Sequence, residues 1–167
     1  MKMNRSSRRW TRGFLAMACL VLFGWQCLQA QNQRSSSIAV VVHPDTPVSD
    51  LSLEEVRKIF LGDRQYWTAK LPVVLLIRAP VARERDVVLS VIYQMSEAQF
   101  KRYWIAKIFR AESATAPKIV YSNDMANEII AAIPGAIAFV DAHDVHPGIK
   151  VVRINGHLPS EPDYPLK

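Results

Sequence analysis

Runs of apolar residues, broken by prolines, glycines and short polar caps, divide the chain into alternating strands and helices. Ile38-Ala39-Val40-Val41-Val42-His43 is a β-branched run stopped by Pro44 and Pro47, the pattern of a buried strand that feeds a turn. Ser52 precedes Leu53-Glu54-Glu55 with capping-box spacing, and Val56, Ile59 and Phe60 supply the apolar face of a short helix that ends at Gly62. Pro72 to Ile77 reads as a second buried strand, followed by Arg78 and Pro80. Pro80 suits the first turn of a helix through Val81 to Tyr93, with Val81, Val88, Leu89 and Ile92 inward. Ser96, with Gln99 three residues on, opens another helix carrying Phe100, Tyr103, Trp104, Ile105, Ile108 and Phe109, whose aromatics read as core. Ser122-Asn123-Asp124 caps a helix over Met125 to Ile133, broken by Pro134-Gly135. Ala136 to Val140 and Ile149 to Ile154 are the last two strands. Strands with continuous apolar runs, separated by helices, predict an α/β fold with a mixed sheet covered by helices on both faces.

The N-terminal thirty residues follow a different pattern, and they change how the composition is read. Lys2, Arg5, Arg8, Arg9 and Arg12 precede an apolar run from Phe14 to Trp25, and Gln26 to Ala30 ends on a small residue. This is the order of a cleaved secretory signal peptide. The run is shorter than the roughly 20 apolar residues that cross a bilayer, so no stable membrane span is expected after cleavage; an uncleaved anchor is the alternative. Arg8-Arg9 also matches a twin-arginine pair and Ala16-Met17-Ala18-Cys19 a lipoprotein box, but general secretion fits the flanking residues better. A periplasmic or secreted protein follows, with residues 31–37 as a flexible tether that ends in Ser35-Ser36-Ser37 and residues 38–167 as one domain.

That segment holds five of the 21 Lys and Arg and none of the 15 Asp and Glu, so the formal net charge of +6 falls to about +1 without it. The basic balance is therefore mostly targeting charge, and neither nucleic acid nor an acidic membrane is implied as a partner. Both cysteines, Cys19 and Cys27, fall in the same segment, which excludes a disulfide framework or thiol chemistry from the remaining 137 residues.

The order of motifs resembles the phosphate-binding substrate receptors of ABC transporters. Leu51-Ser52-Leu53-Glu54-Glu55-Val56-Arg57-Lys58-Ile59-Phe60-Leu61-Gly62, followed by Trp67, is similar to their leucine, helix, isoleucine-phenylalanine-x-glycine, tryptophan signature. Val73 to Arg78 resembles their strand ending in arginine, Pro134-Gly135-Ala136-Ile137-Ala138-Phe139-Val140 their proline-glycine-alanine-isoleucine-glycine-tyrosine segment, and Ile154-Asn155-Gly156 with Tyr164-Pro165-Leu166 their end. The resemblance implies a single periplasmic-binding-protein-like lobe: the second of the family's two lobes, with the hinge-proximal strand Ile38 to His43. It also implies a small oxyanion such as phosphate as partner, and no cofactor.

The family holds its anion on this lobe with an arginine followed, four residues later, by serine-glycine-threonine at a helix start. Arg78 matches the arginine, but the triplet here is Ala82-Arg83-Glu84. A helix start still offers free N–H groups and partial positive charge to an anion. The candidate anion ligands are thus Arg78, Val81, Ala82 and Arg83, with Arg83 and Arg85 adding charge and Glu84 opposing it. The other reading of Arg83-Glu84-Arg85 is a solvated helix face with local ion pairs.

His143 and His146, in Asp141-Ala142-His143-Asp144-Val145-His146, are metal-ligand candidates, for which turn chemistry before Pro147-Gly148 is the alternative. No Gly-x-Ser-x-Gly elbow, glycine-rich phosphate loop or mature cysteine nucleophile is present, so no enzyme is expected. Two functions follow: a one-lobe oxyanion-binding protein, or an interaction module that keeps the lobe but not the ligand and docks on an envelope protein or a second copy of itself.

Overall fold

A computed structural model describes residues 36–167; the signal peptide read over residues 1–30 and most of the expected tether lie outside the described residues. A six-stranded sheet, in the order β2-β8-β1-β7-β5-β6, forms the centre. Its strands are β1 (Ile38–Val42), β2 (Asp50–Leu51), β5 (Val74–Arg78), β6 (Lys118–Val120), β7 (Ala136–Asp141) and β8 (Lys150–Ile154). A separate hairpin pairs β3 (Tyr66–Thr68) with β4 (Leu71–Pro72). The helices are α1 (Leu53–Phe60), α2 (Arg83–Val87, continuing as a π-helical segment over Val88–Tyr93), α3 (Glu97–Phe109) and α4 (Asn123–Ala132).

The sheet is mixed, as the alternation of elements predicts. β1 runs antiparallel to both β7 and β8, whereas β5 is parallel to β6 and β7. All five residues of β1 are buried, because the strand lies mid-sheet between two neighbours and under helices on both sides. One face carries the large residues Ile38, Val40, Val42, Ile77, Phe139 and Ile154, packed with Val56, Ile59 and Phe60 of α1, Leu89 and Ile92 of α2, and Phe100 and Trp104 of α3. The opposite face carries smaller ones, Ala39, Val41, Ala136 and Ala138, and packs against Ala126 and Ile130 of α4.

Three of the four helices begin with a serine cap. Ser52 accepts from Glu55 N and Ser96 from Gln99 N, each closing a capping box, and Ser122 accepts from Met125 N. Trp67 is buried, and its Nε1 donates to the Gly135 carbonyl at 2.9 Å. At Gly135 the backbone has φ +82, and an added Cβ would sit 2.2 Å from the Pro72 carbonyl oxygen, so only glycine fits this crossing of hairpin and sheet.

The structure corrects the sequence-based expectation in three places. The helix predicted from Val81 begins at Arg83, and Val81 points outward, 97% exposed. The cause is a tight turn over Ala79–Ala82, closed by Ala82 N donating to the Ala79 carbonyl at 3.4 Å. Pro80 fills the second position of that turn and Val81 the third, with φ +69. On α3, Phe100 and Trp104 are buried as expected, but Ile105 and Phe109 are 68% and 90% exposed, while Lys107 is buried with its Nζ on Asp63 Oδ1 at 2.6 Å and near the Tyr103 hydroxyl. The strand predicted over Pro72 to Ile77 is divided at Val73 between β4 and β5.

Candidate functional site: the rim at the strand ends

Because β5, β6 and β7 run in one direction, their C-terminal ends share one rim of the sheet, and β1, antiparallel to β7, starts there. Arg78 lies opposite Val120 in the β5–β6 register, and Ile38 lies opposite Asp141. The starts of α2 and α4, the Asp141–Asp144 loop and Ser36–Ser37 all gather at this edge. Ligands of open α/β sheets bind in this position.

Arg78 is a largely covered cation of the rim, with its side chain 12% exposed. Its Nε lies 3.6 Å from Glu84 Oε2, a Coulombic contact too long for a hydrogen bond. Nε and Nη1 are both buried and have no hydrogen-bond partner, and each unsatisfied buried donor costs about 1–3 kcal/mol. Glu84 is buried too, and its Oε1 accepts from Asn123 Nδ2 at 2.8 Å. Asn123 in turn donates to Asp144 Oδ2 at 2.7 Å, so one amide bridges two carboxylates.

Beside Arg78, α2 begins without a cap. Ala82 has the extended backbone of a capping residue but no side-chain oxygen to offer. The first-turn N–H groups of Arg83 and Glu84 therefore face the rim with no side-chain acceptor, at the positive end of the helix. Arg83 is half exposed; it donates to the Ser36 carbonyl and lies 3.8 Å from Asp141 Oδ2. Arg85 turns the other way, under the site. It is buried, forms a two-pronged pair with Glu97 at 2.8 and 2.9 Å, donates to the Arg78 carbonyl at 2.7 Å, and stacks over Phe100. This pairing holds the Glu97 carboxyl below its usual range.

The rim is not uniformly basic. Asp141 accepts from the Ser36 hydroxyl and the His143 backbone. Burial pushes its carboxyl up, but these hydrogen bonds, with that of the His143 ring, outweigh burial and hold it below its usual value. His143 lies against Asp141 and Ser36, whereas His146 Nε2 meets Asp124 Oδ1 at 2.9 Å. The two imidazoles serve different carboxylates, and no group of three or more His, Cys, Asp or Glu among the described residues is placed to hold a metal ion.

Arg78, Ala82 and Arg83 all lie at this rim, Arg78 against Glu84 and Arg83 against Ser36 and Asp141, and Val81 stands at the turn with its side chain in solvent. The solvated-face reading of Arg83-Glu84-Arg85 holds for Arg83 alone, because Glu84 and Arg85 are buried. Asn123 and Asp141 belong to the rim without any signal in sequence. Their contacts span 39 and 58 positions to α2, distances that only the parallel strand register closes.

No protein-family model matches the chain. Among solved structures, it is similar to a protein of Clostridium perfringens described as a phosphate ABC transporter substrate-binding protein with bound phosphate, at 18% identity and TM-score 0.60, over 74% of this chain and 47% of that one. An ABC-type phosphate transport receptor from Vibrio cholerae matches at 19% identity and TM-score 0.60, over 75% and 48%. PstS from Borrelia burgdorferi matches at 13% and 0.58, over 75% and 49%. The chain thus spans about half the length of the structures it matches, and shares with them the fold of a periplasmic-binding-protein-like lobe.

Proposed function

We propose that this is an exported, non-enzymatic binding protein in which one lobe takes a small oxyanion such as phosphate at the start of α2. The observation that carries this reading is the pairing of an uncapped helix start with a guanidinium whose buried Nε and Nη1 lack acceptors. An oxyanion seated between them would satisfy both sets of donors at once, with charge-assisted bonds to Arg78. The fold neighbours described as phosphate receptors support the choice of anion, and the charged, apolar, small-residue order of residues 1–30 supports export. No helix among the described residues is long and apolar enough to cross a membrane.

Glu84 sets the expected strength. Its carboxylate competes with the ligand for Arg78, so affinity is modest and comes at the expense of the Glu84 contact. A single lobe also leaves one side of the anion in water. The same contact favours a second reading, in which Glu84 is the built-in anion and the lobe serves to dock on an envelope protein or a second copy.

Calorimetry of the purified protein with phosphate and sulfate separates the two readings. Saturable binding that Arg78→Ala abolishes, and that Glu84→Gln tightens by roughly tenfold, is the expected result. Absence of heat from the wild type and from Glu84→Gln alike would sink the oxyanion reading and leave the docking reading standing.

A further inference from the structure

Helix α3 buries one side and leaves a second apolar side in solvent. Phe100, Trp104 and Lys107 are buried, whereas Ile105 and Phe109 stand 68% and 90% exposed and Ile108 42%. Arg102, Ile105 and Phe109 follow one another at spacings of three and four, so they form one stripe along the outer face, with Lys101 and Ile108 on its flank. Exposed apolar residues ordinarily stand singly. Here three fall within five residues of one helix.

The charge around them has one sign. No Asp or Glu occurs between Glu97 and Glu112, and within that span Lys101, Arg102 and Arg110 are exposed. Arg110 is paired with Glu112 at 2.6 Å. Lys101 lies 3.8 Å from Glu97, whose carboxylate is already held by the two-pronged bond from Arg85. Arg102 forms no salt bridge among the described residues. The net charge of about +1 that remains without the first thirty residues conceals this cluster, which is why composition alone implies no acidic membrane.

Charge and shape separate the occupants of such a face. A second copy would bring Lys101 and Arg102 of both chains into one interface with no acid among them, and a few side chains of one helix fall short of the roughly 800 Å² that each partner buries in a stable interface. A protein partner needs a surface shaped to receive Ile105 and Phe109, whereas a bilayer needs none: apolar side chains enter the acyl boundary while Lys and Arg stay at the headgroup phosphates. Each cation near an anionic leaflet raises affinity about fivefold. We infer that the outer face of α3 is a peripheral docking surface for an anionic lipid bilayer, with Ile105 and Phe109 at the acyl boundary and Lys101 and Arg102 on the lipid phosphates. Glu97, at the head of α3, is joined through Arg85 to the Arg78 carbonyl, while Glu112, just past its end, is bonded by Gln65 beside the start of β5. The apolar residues therefore lie away from the rim, and the inference is independent of the oxyanion reading.

Co-sedimentation with large unilamellar vesicles of the chain from residue 31, which keeps the compact unit Ser36–Lys167, tests it. Vesicles of phosphatidylglycerol and phosphatidylcholine in equal parts are expected to bind at least about tenfold more strongly than phosphatidylcholine alone, and to release the protein as salt rises. Lys101→Gln combined with Arg102→Gln is expected to weaken binding to the anionic vesicles about tenfold, and Phe109→Ser about fivefold. Both variants change exposed side chains, so their unfolding midpoints should match the wild type, and Arg78→Ala is expected to bind the vesicles undiminished. Equal binding to phosphatidylcholine, absence of binding to the anionic vesicles, or indifference to both α3 variants would overturn the assignment. So would polyglutamate bound at the same residues without any vesicle binding, which assigns the face to an acidic protein, or a dimer in light scattering that Phe109→Ser dissolves, which assigns it to a second copy.

Discussion

Two helices start side by side at the rim, after the neighbouring parallel strands β5 and β6, and they start in opposite ways. At α4, Ser122 caps the first turn through Met125 N at 2.9 Å, and the chain passes from strand to helix in two residues. At α2, the passage takes four residues and a left-handed φ at the β-branched Val81, a conformation that costs of order 1–2 kcal/mol. It ends on Ala82, which caps nothing. The α4 start has a side-chain acceptor for its first turn. The α2 start leaves donors open beside a largely covered arginine, and spends backbone strain to do so. The difference teaches that local stability was not maximised at α2, which is where a site for an external group is to be sought.

The largest effect is expected from removing the support beneath α2. Glu97→Ala leaves the buried Arg85 with the Arg78 carbonyl as its remaining partner and is expected to cost about 2 kcal/mol in denaturant unfolding, a figure reduced for the partial exposure of Glu97. The same pair makes stability depend on acid. Since the Glu97 carboxyl is held below its ordinary value, its contribution is complete above the usual carboxylate range near pH 4 and is lost as pH falls through the lowered folded value. In Glu97→Gln that part of the acid loss should vanish, so a pH titration of stability for the two proteins should converge at low pH; parallel curves would refute the role given to the pair.

Closing the open start is the sharper test of the comparison. Ala82→Asp places a capping carboxylate at a position whose backbone is already extended, and is expected to raise stability by about 1 kcal/mol while abolishing oxyanion binding. A variant that is stabilised yet binds phosphate undiminished would show that the α2 start is not the seat. At the other helix the effect is confined to stability: Ser122→Ala should cost about 1 kcal/mol in thermal or denaturant unfolding and leave any anion titration unchanged. A coupled loss of binding would show that the two starts act as one site.

Much of the fold is legible in the chain, and the physical reason is strong local signal. β1 and β7 are continuous apolar runs because both faces of each are covered, and the serine caps of α1, α3 and α4 stand directly before helical periodicity. The short strands are not legible. β2 has two residues, and β6 shows two exposed residues before the buried Val120, so neither presents a period. Nor does α3 choose its buried face from pattern, because apolar residues surround it. Tyr103, packed edge-on against Trp104 and donating to the Leu61 carbonyl, draws Lys107 inward and leaves Ile105 and Phe109 outside. At the rim, Arg78 and the helix start are visible as a motif, whereas the Glu84 contact is not. Glu84 lies six positions after Arg78, and only the unusual turn at Val81 decides that the two side chains meet.

The placing of β1 has a consequence for how the chain acquires its structure. The strand is among the first described residues, yet both its neighbours, β7 and β8, lie about a hundred positions later. Its five apolar residues cannot be sheltered by strand pairing until nearly all of the sequence is available. Contacts of such long separation slow folding and prolong exposure of the central strand. A nascent chain of this design leaves β1 without a strand partner until β7 and β8 have been made, so the centre of the sheet forms late.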